Sequence, residues 1–334
     1  MIIAGAGIIG LSSAWRLSSC NIPVTIFDAR EAGGEASWAG AGMLAPGGEI
    51  EEASPLTDMA LNSLVIYPEY VSALCEESGL DIDYRRCGAI EVALSDEEAL
   101  ELDARAEMQA RIGIRSEPIQ FHGSTHARLF PDDAVVDPRQ VVTALRKACR
   151  LRGVVIREHE PVVEILAKGS GVRTTRGLYE DNGVLISAGA WSTGLVSPVH
   201  LPRAKPVRGH LISYDAPPGM LQTILRHENT YILQRKSGTI VAGTSTEHAG
   251  FDRTIDDRII EGIRVRASQL MPELKAMQPS DKWVGFRPGI ETGIPAIGRI
   301  EGTRIWTAYG HYRNGILLAP DTAERITKSV TQAH

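Results

Sequence analysis

Hydrophobic positions in this chain follow two periods in turn. Residues 1–4 are a short apolar run, then come Gly5-Ala6-Gly7-Ile8-Ile9-Gly10 and Leu11-Ser12-Ser13-Ala14-Trp15-Arg16-Leu17, then a second apolar run over 24–27. This reads as strand, glycine turn, helix, strand. Residues 56–79 are helical in pattern, with a break before Pro68 and a stop at Gly79. Residues 82–86 and 89–94 read as β segments. Ser95 with Glu98 is a capping-box pattern opening a polar helix that ends near Gly113, its charges a solvated face. A helix follows from Asp137-Pro138 to Arg152, stopped by Gly153, then a strand over 154–157. Residues 162–167 and 172–175 read as a hairpin around Lys168-Gly169-Ser170-Gly171, and 184–187 as a buried strand entering Ala188-Gly189-Ala190. Strands resume at 211–214, 231–234 and 239–242, the last two joined through Arg235-Lys236-Ser237-Gly238. A helix covers 255–270. Trp283-Val284-Gly285-Phe286-Arg287-Pro288-Gly289 reads as a stiff loop with a Pro-Gly turn. A strand over 304–308 then enters Gly310-His311-Tyr312-Arg313-Asn314-Gly315-Ile316-Leu317-Leu318-Ala319-Pro320, which opens a helix from about Asn314 towards Val330.

The fold class that follows is α/β: a Rossmann-like dinucleotide-binding domain with an interleaved antiparallel β-rich domain that holds the substrate. The first takes residues 1–80, 136–205 and 284–334; the second takes 81–135 and 206–283. At 334 residues and 43% hydrophobic, the chain has enough length for a large core. Its net charge of -6, with no basic run, argues against nucleic acid as the main partner. No apolar window is long enough for a membrane span, and the chain begins directly in a strand with no signal-like region. Cys20, Cys75, Cys87 and Cys149 are scattered, without the spacing of a metal site, and read as free thiols of a cytoplasmic protein. No metal is expected.

The chemistry lies in the glycines and two arginines. Gly5 permits the tight turn, Gly7 lets a pyrophosphate approach the backbone, and Gly10 lets helix and sheet pack closely. Asp28 ends the next strand, about 20 residues on, where a carboxylate suits a ribose hydroxyl. The small-residue run over 33–48 lets backbone amides press against a flat ligand, and its Gly47-Gly48 end reads equally as a surface loop. A turn through Gly310, Arg313, Asn314 and Gly315 into an apolar helix presents unpaired N–H groups suited to negative charge. Arg313 adds a fork for a carboxylate, and Arg287 sits between a bulky Phe and a Pro-Gly pair where it can hold a fixed anion. An ordinary surface arginine fits either position as well. The glycine fingerprint alone leaves FAD and NAD open.

Taken together, these motifs resemble the glycine oxidase branch of the D-amino-acid oxidase family, FAD-dependent enzymes linked in bacteria to thiamine synthesis. The resemblance spans almost the whole chain, and its most specific parts are Ala39-Gly40-Ala41-Gly42-Met43-Leu44, Gly285-Phe286-Arg287-Pro288-Gly289 and the stretch from Gly310 to Pro320. It implies that FAD is the cofactor, with Ile8 and Ile9 flanking the pyrophosphate turn and Asp28 and Ala29 at the adenosine ribose. It implies that Ala36, Ser37, Ala41, Gly42 and Met43 line the flavin, that Val162 meets the adenine through its backbone, and that His311, Tyr312, Arg313, Asn314, Gly315, Ile316 and Leu317 cradle the isoalloxazine. Arg287 and Arg313 would hold the substrate carboxylate, with Tyr231 beside it. Relatives can carry a His two positions before that Tyr, where this chain has Asn229; the chain also lacks the few residues that often precede the first strand. No Cys follows Cys149, so FAD is expected to be non-covalent.

The implied reaction is oxidation of glycine or a small D-amino acid by O₂ to an oxo acid, ammonia and H₂O₂, with no side-chain base if the amine binds neutral. The alternatives are an oxidase or dehydrogenase for another amine, such as sarcosine, D-proline or a larger D-amino acid, and a flavin-binding module without turnover. The partners are the amino acid and O₂, with no nucleic acid and no membrane; a homo-oligomer is left open.

Overall fold

The computed structural model describes residues 1–50, 52–195 and 201–333. Two large sheets organise them. The first has six strands in the order Ala296–Arg299, Ile305–Tyr309, Val184–Ile186, Ile2–Ala4, Thr25–Phe27 and Val155–Arg157. All neighbours are parallel except the Ala296–Arg299 edge. The central strands are short and apolar on both faces, as strands covered on both sides must be. Helices Ile8–Ser19, Pro138–Leu151, Pro55–Ser78 and Gly315–Thr331 pack on one another beside this sheet. The chain passes from Ile2–Ala4 through Ile8–Ser19 to Thr25–Phe27, a strand–helix–strand unit whose first turn sits at the carboxyl end of the sheet, where α/β folds bind ligands.

The second sheet has eight strands: Asp281–Ile290, Ala204–Tyr214, Ile240–Gly243, Thr230–Gln234, Ile224–His227, Ala89–Ala93, His126–Phe130 and Glu117–Ile119. It is antiparallel apart from Ile224–His227 against Ala89–Ala93. Helix Asp257–Leu270 covers it, burying Ile260, Ile263, Ala267 and Leu270. The mixed architecture agrees with the expected α/β class.

Three local expectations change. Residues 55–78 form one helix through Pro68 instead of breaking before it. The proline removes one backbone donor, but Tyr67, Tyr70, Val71 and Leu74 are buried around it, and packing of that face outweighs the lost bond. Residues 283–289 are not a loop: they lie inside strand Asp281–Ile290, paired in register with Ala204–Tyr214. Pro288 is tolerated there because the strand is at the edge of the sheet. The domain crossings expected at 206 and 283 therefore fall inside paired strands. We propose that the substrate unit begins before residue 204 and runs through residue 290. The expected hairpin is present, Val162–Ile165 against Gly171–Thr174, with a third strand, Leu178–Glu180, that the sequence did not announce.

Candidate functional site

The glycine turn is held by a carboxylate. Gly5 donates to Phe27 O at 2.8 Å, and Ala6 N donates to Asp28 Oδ2 at 2.6 Å. Arg30 N donates to the other Asp28 oxygen at 2.9 Å. Burial raises the Asp28 carboxyl above the usual carboxylate range, and these two N–H donors pull the other way. Gly5 has a φ of 108°, and a Cβ there would meet Ser187 O at 2.5 Å. A Cβ on Gly10 would lie 2.0 Å from Gly5 O, so only glycine lets helix Ile8–Ser19 pack this close to the turn. Ile8 N, in the first turn of that helix, donates to Ser37 Oγ at 2.9 Å. Ser37 belongs to the small-residue run and thus bridges it to the helix N-terminus.

A second helix N-terminus faces the same space. Helix Gly315–Thr331 starts after Asn314 with no side-chain cap and no acidic residue in its first turn. Its first N–H groups and the positive end of its dipole are left for a ligand. The approach is set by Gly310, at a φ of 85°, and by Tyr312 N, which donates to Pro288 O at 2.9 Å. His311 is buried, with Nε2 3.1 Å from Thr322 Oγ1, and burial pushes its imidazole down to about 3. It is therefore neutral at ordinary pH.

The arginines come from different elements. Arg287 stands on strand Asp281–Ile290 opposite Val207, and its guanidinium lies flat against Gly209, two residues along the neighbouring strand. Its Nη1 donates to Ser245 O at 3.1 Å and its Nη2 to Thr244 Oγ1 at 2.7 Å. Among the described residues no carboxylate lies within 4.0 Å of it. Burial lowers its pKa. Tyr231 lies opposite Gly243 in the paired strands, where a Cβ would come within 2.7 Å of the Tyr231 hydroxyl. Burial raises the Tyr231 phenol, with Arg287 and Arg313 pulling it down. Arg313 is paired: its Nε lies 3.0 Å from Glu49 Oε1. Burial raises the Glu49 carboxyl, opposed by Arg313, Arg226 and Arg287.

One cavity of about 510 Å³ joins these groups. It is lined by Gly5, Gly7, Ile8, Ile9, Asp28, Ala29, Ala36, Ser37, Ala41, Gly42, Met43, Val162, Tyr231, Arg287 and the run from His311 to Ile316, all expected from the sequence. Gly10 and Leu317 do not line it. Gly10 acts through packing beneath the turn, and the Leu317 side chain is in the core. Glu49, Gly209, Trp191 and the Thr244–Ser245 seat of Arg287 were not foreseen. Glu49 sits at the end of a glycine pair that reads as surface loop. Gly209 lies in a strand whose length the apolar pattern understated.

The cavity fits a flat dinucleotide. It offers bare glycine backbone, two helix N-termini for negative charge and Asp28 near the first turn. None of the four cysteines lines it. Among known families, a model described as FAD dependent oxidoreductase matches residues 1–329. The chain belongs to this family of FAD-dependent oxidoreductases. It is 34% identical to the glycine oxidase of Pseudomonas aeruginosa over 332 residues, covering 96% of this chain and 91% of that one. It is 32% identical to the glycine oxidase of Bacillus subtilis, covering 98% and 91%. The crystal structure of glycine oxidase from Geobacillus kaustophilus superposes with a TM-score of 0.94 at 30% identity, covering 99% of this chain and 94% of that one. The expected enzyme class and FAD cofactor are those of the family. Among the described residues, no helix is long and apolar enough to cross a membrane.

Proposed function

We propose that this oxidoreductase removes the amino group of glycine or a small D-amino acid oxidatively, with O₂ as the electron acceptor. The products are the oxo acid, ammonia and H₂O₂. The observation that carries this reading is Arg287: a cationic fork at the end of the cavity, seated on neutral oxygens, with no acid partner among the described residues. Such a group is matched by a ligand carboxylate. The glycine oxidase relatives support the same substrate class.

When bound, FAD supplies hydride acceptance and delivery of electrons to O₂. The protein's task is then positional. Arg287 grips the carboxylate with two parallel hydrogen bonds and so fixes the face of Cα that is presented. Gly209 gives the guanidinium room to lie flat, and Thr244 and Ser245 hold its rear edge. Tyr231 supplies a hydroxyl beside the carboxylate, with Gly243 leaving room for its ring. The first turn of helix Gly315–Thr331 stabilises negative charge at the flavin end of the cavity. Gly7, Ile8 and Ile9 would take the pyrophosphate, Asp28 and Ala29 the ribose, and Val162 the adenine. Ala36, Ser37, Ala41, Gly42 and Met43 would flank the ring system. The positive potential of Arg287, which has no acid partner among the described residues, favours a neutral amine, the form from which a hydride can leave, so no general base is required. FAD held non-covalently and a cytoplasmic setting belong to this reading, the latter supported by the four free cysteines. A role in thiamine synthesis is what the family resemblance implies.

The test is anaerobic. The purified protein should be yellow, glycine or a small D-amino acid should bleach it, and air should restore the colour with one H₂O₂ per turnover, a stoichiometry of about one. Bound flavin that no amino acid bleaches would remove the substrate assignment.

A further inference from the structure

Two arginines reach the substrate end of the cavity, and one of them is already matched. Arg313 Nε is 3.0 Å from Glu49 Oε1, whereas Arg287 donates only to neutral oxygens among the described residues: Arg208 O, Ser245 O and Thr244 Oγ1. All three charged side chains line the cavity. The loop that carries Glu49 is anchored from beneath. Buried Gln109 donates from Nε2 to Gly47 O and to Ile50 O, each at 2.8 Å. Gly48 rests on the guanidinium of Arg226, where a Cβ would lie 2.9 Å from Nη1. Arg226 is itself fixed by Glu91 and Asp133 at 2.8 and 2.7 Å. The fold thus holds a carboxylate in front of Arg313.

We infer that Glu49 sets the charge selectivity of the site: by neutralising Arg313 it leaves one guanidinium for one carboxylate, and it excludes amino acids that carry a second anionic group. The inference rests on the amino-acid reading above and narrows it. A substrate of the glycine class brings one carboxylate, which Arg287 takes. A dicarboxylate brings a second, which meets Glu49 in place of a free cation. Like charges in a partly desolvated site repel strongly, and such repulsion is how a pocket rejects a close analogue. Without the Glu49 charge, the Arg313 fork becomes available to a second carboxylate.

Glu49→Gln in the FAD-loaded protein tests this through two readouts, one of which needs no turnover. Oxidised protein is titrated with acetate and with malonate, following the visible spectrum of the flavin, and KM is measured for glycine and for N-(carboxymethyl)glycine. The wild type should bind malonate no tighter than acetate. In Glu49→Gln the malonate affinity should rise about tenfold relative to acetate, or about 1.4 kcal/mol. The KM for the dicarboxylate should fall relative to that for glycine by about tenfold as well. The double variant Glu49→Gln/Arg313→Gln should lose the gain. An unchanged malonate-to-acetate ratio in Glu49→Gln, or a gain that survives the loss of Arg313, overturns the inference. Glu49→Ala serves as the second variant and must shift the ratio in the same direction. Failure of glycine to bleach the wild-type flavin is a separate result that counts against the amino-acid reading, since the titration reads charge selectivity without it.

Discussion

Gly209 makes room for Arg287: a Cβ on residue 209 would lie 2.3 Å from Nη1 and 2.5 Å from Nη2 of the guanidinium. The two residues are diagonal neighbours on paired strands, with Arg287 in register with Val207 and Gly209 with Gly285. A glycine in a strand interior is weakening and needs a reason, and here the reason is the close approach of a charged plane. Gly209→Ala should therefore leave the fold intact, since the flexible arginine can move, and should displace the fork. Substrate KM should rise by about tenfold or more, with flavin content unchanged. Steady-state kinetics and the bound-flavin spectrum check this, and equal KM values would show that the flat seat does not matter.

Gly10 faces backbone, which cannot move aside. A Cβ there would come within 2.0 Å of Gly5 O. Gly10→Ala should cost about 3 kcal/mol or more through the forced separation of helix and turn. The expected phenotype is low soluble yield and loss of FAD, read by denaturant unfolding and by the flavin spectrum of whatever protein is recovered. A stable yellow Gly10→Ala protein would show that the turn tolerates more slack than this packing implies.

Tyr231 should matter less than Arg287. Its hydroxyl is one neutral donor beside a cation, so Tyr231→Phe should cost about 1 kcal/mol, roughly a fivefold rise in KM. Total loss of activity in that variant would mean that the phenol takes part in the chemistry.

His311 gives a pH dependence with a definite sign. Burial pushes its folded value down to about 3, against about 6.5 in the unfolded chain. Between those values the unfolded chain holds a proton that the folded one refuses. The stability tied to neutral His311 is thus complete above pH of about 6.5 and is lost as pH falls, by up to about 1.4 kcal/mol per unit. Asp133, pushed up to about 6 by burial, acts in the opposite direction, so the wild type alone does not isolate the effect. The comparison is denaturant unfolding of wild type and His311→Asn at pH 7, 6 and 5 with saturating FAD, conditions bracketing about 6.5. The wild type should lose more stability on acidification; parallel curves would show that His311 is not held neutral by the fold.

Much of this site is legible in the sequence because its parts are local. The glycine fingerprint, Asp28 at the strand end and the turn into the last helix each lie within a short run, and each has its chemistry written in residue type. Their convergence on one cavity follows from the right-handed strand–helix–strand rule. What stayed hidden depends on partners distant in the chain. Arg287 looks like a loop residue beside Pro288, because edge-strand proline can be recognised only once the neighbouring strand is known. Pro68 looks like a helix break, because the burial of Tyr67 and Leu74 that holds the helix together comes from other elements. The strands at 117–136 were missed in a polar stretch where no clear alternation marks them. Glu49 gives no local signal, since its partner Arg313 lies at the far end of the chain.

The most direct measurement is anaerobic reduction of the bound flavin at increasing glycine, in the wild type and in Arg287→Lys. Lysine keeps the charge and loses the planar fork. The wild-type flavin should bleach with saturable dependence on glycine, and Arg287→Lys should need about a hundredfold more glycine, or about 2.7 kcal/mol, while retaining its flavin. The same glycine dependence in both proteins would contradict the placement of the substrate carboxylate on Arg287, and with it the central claim.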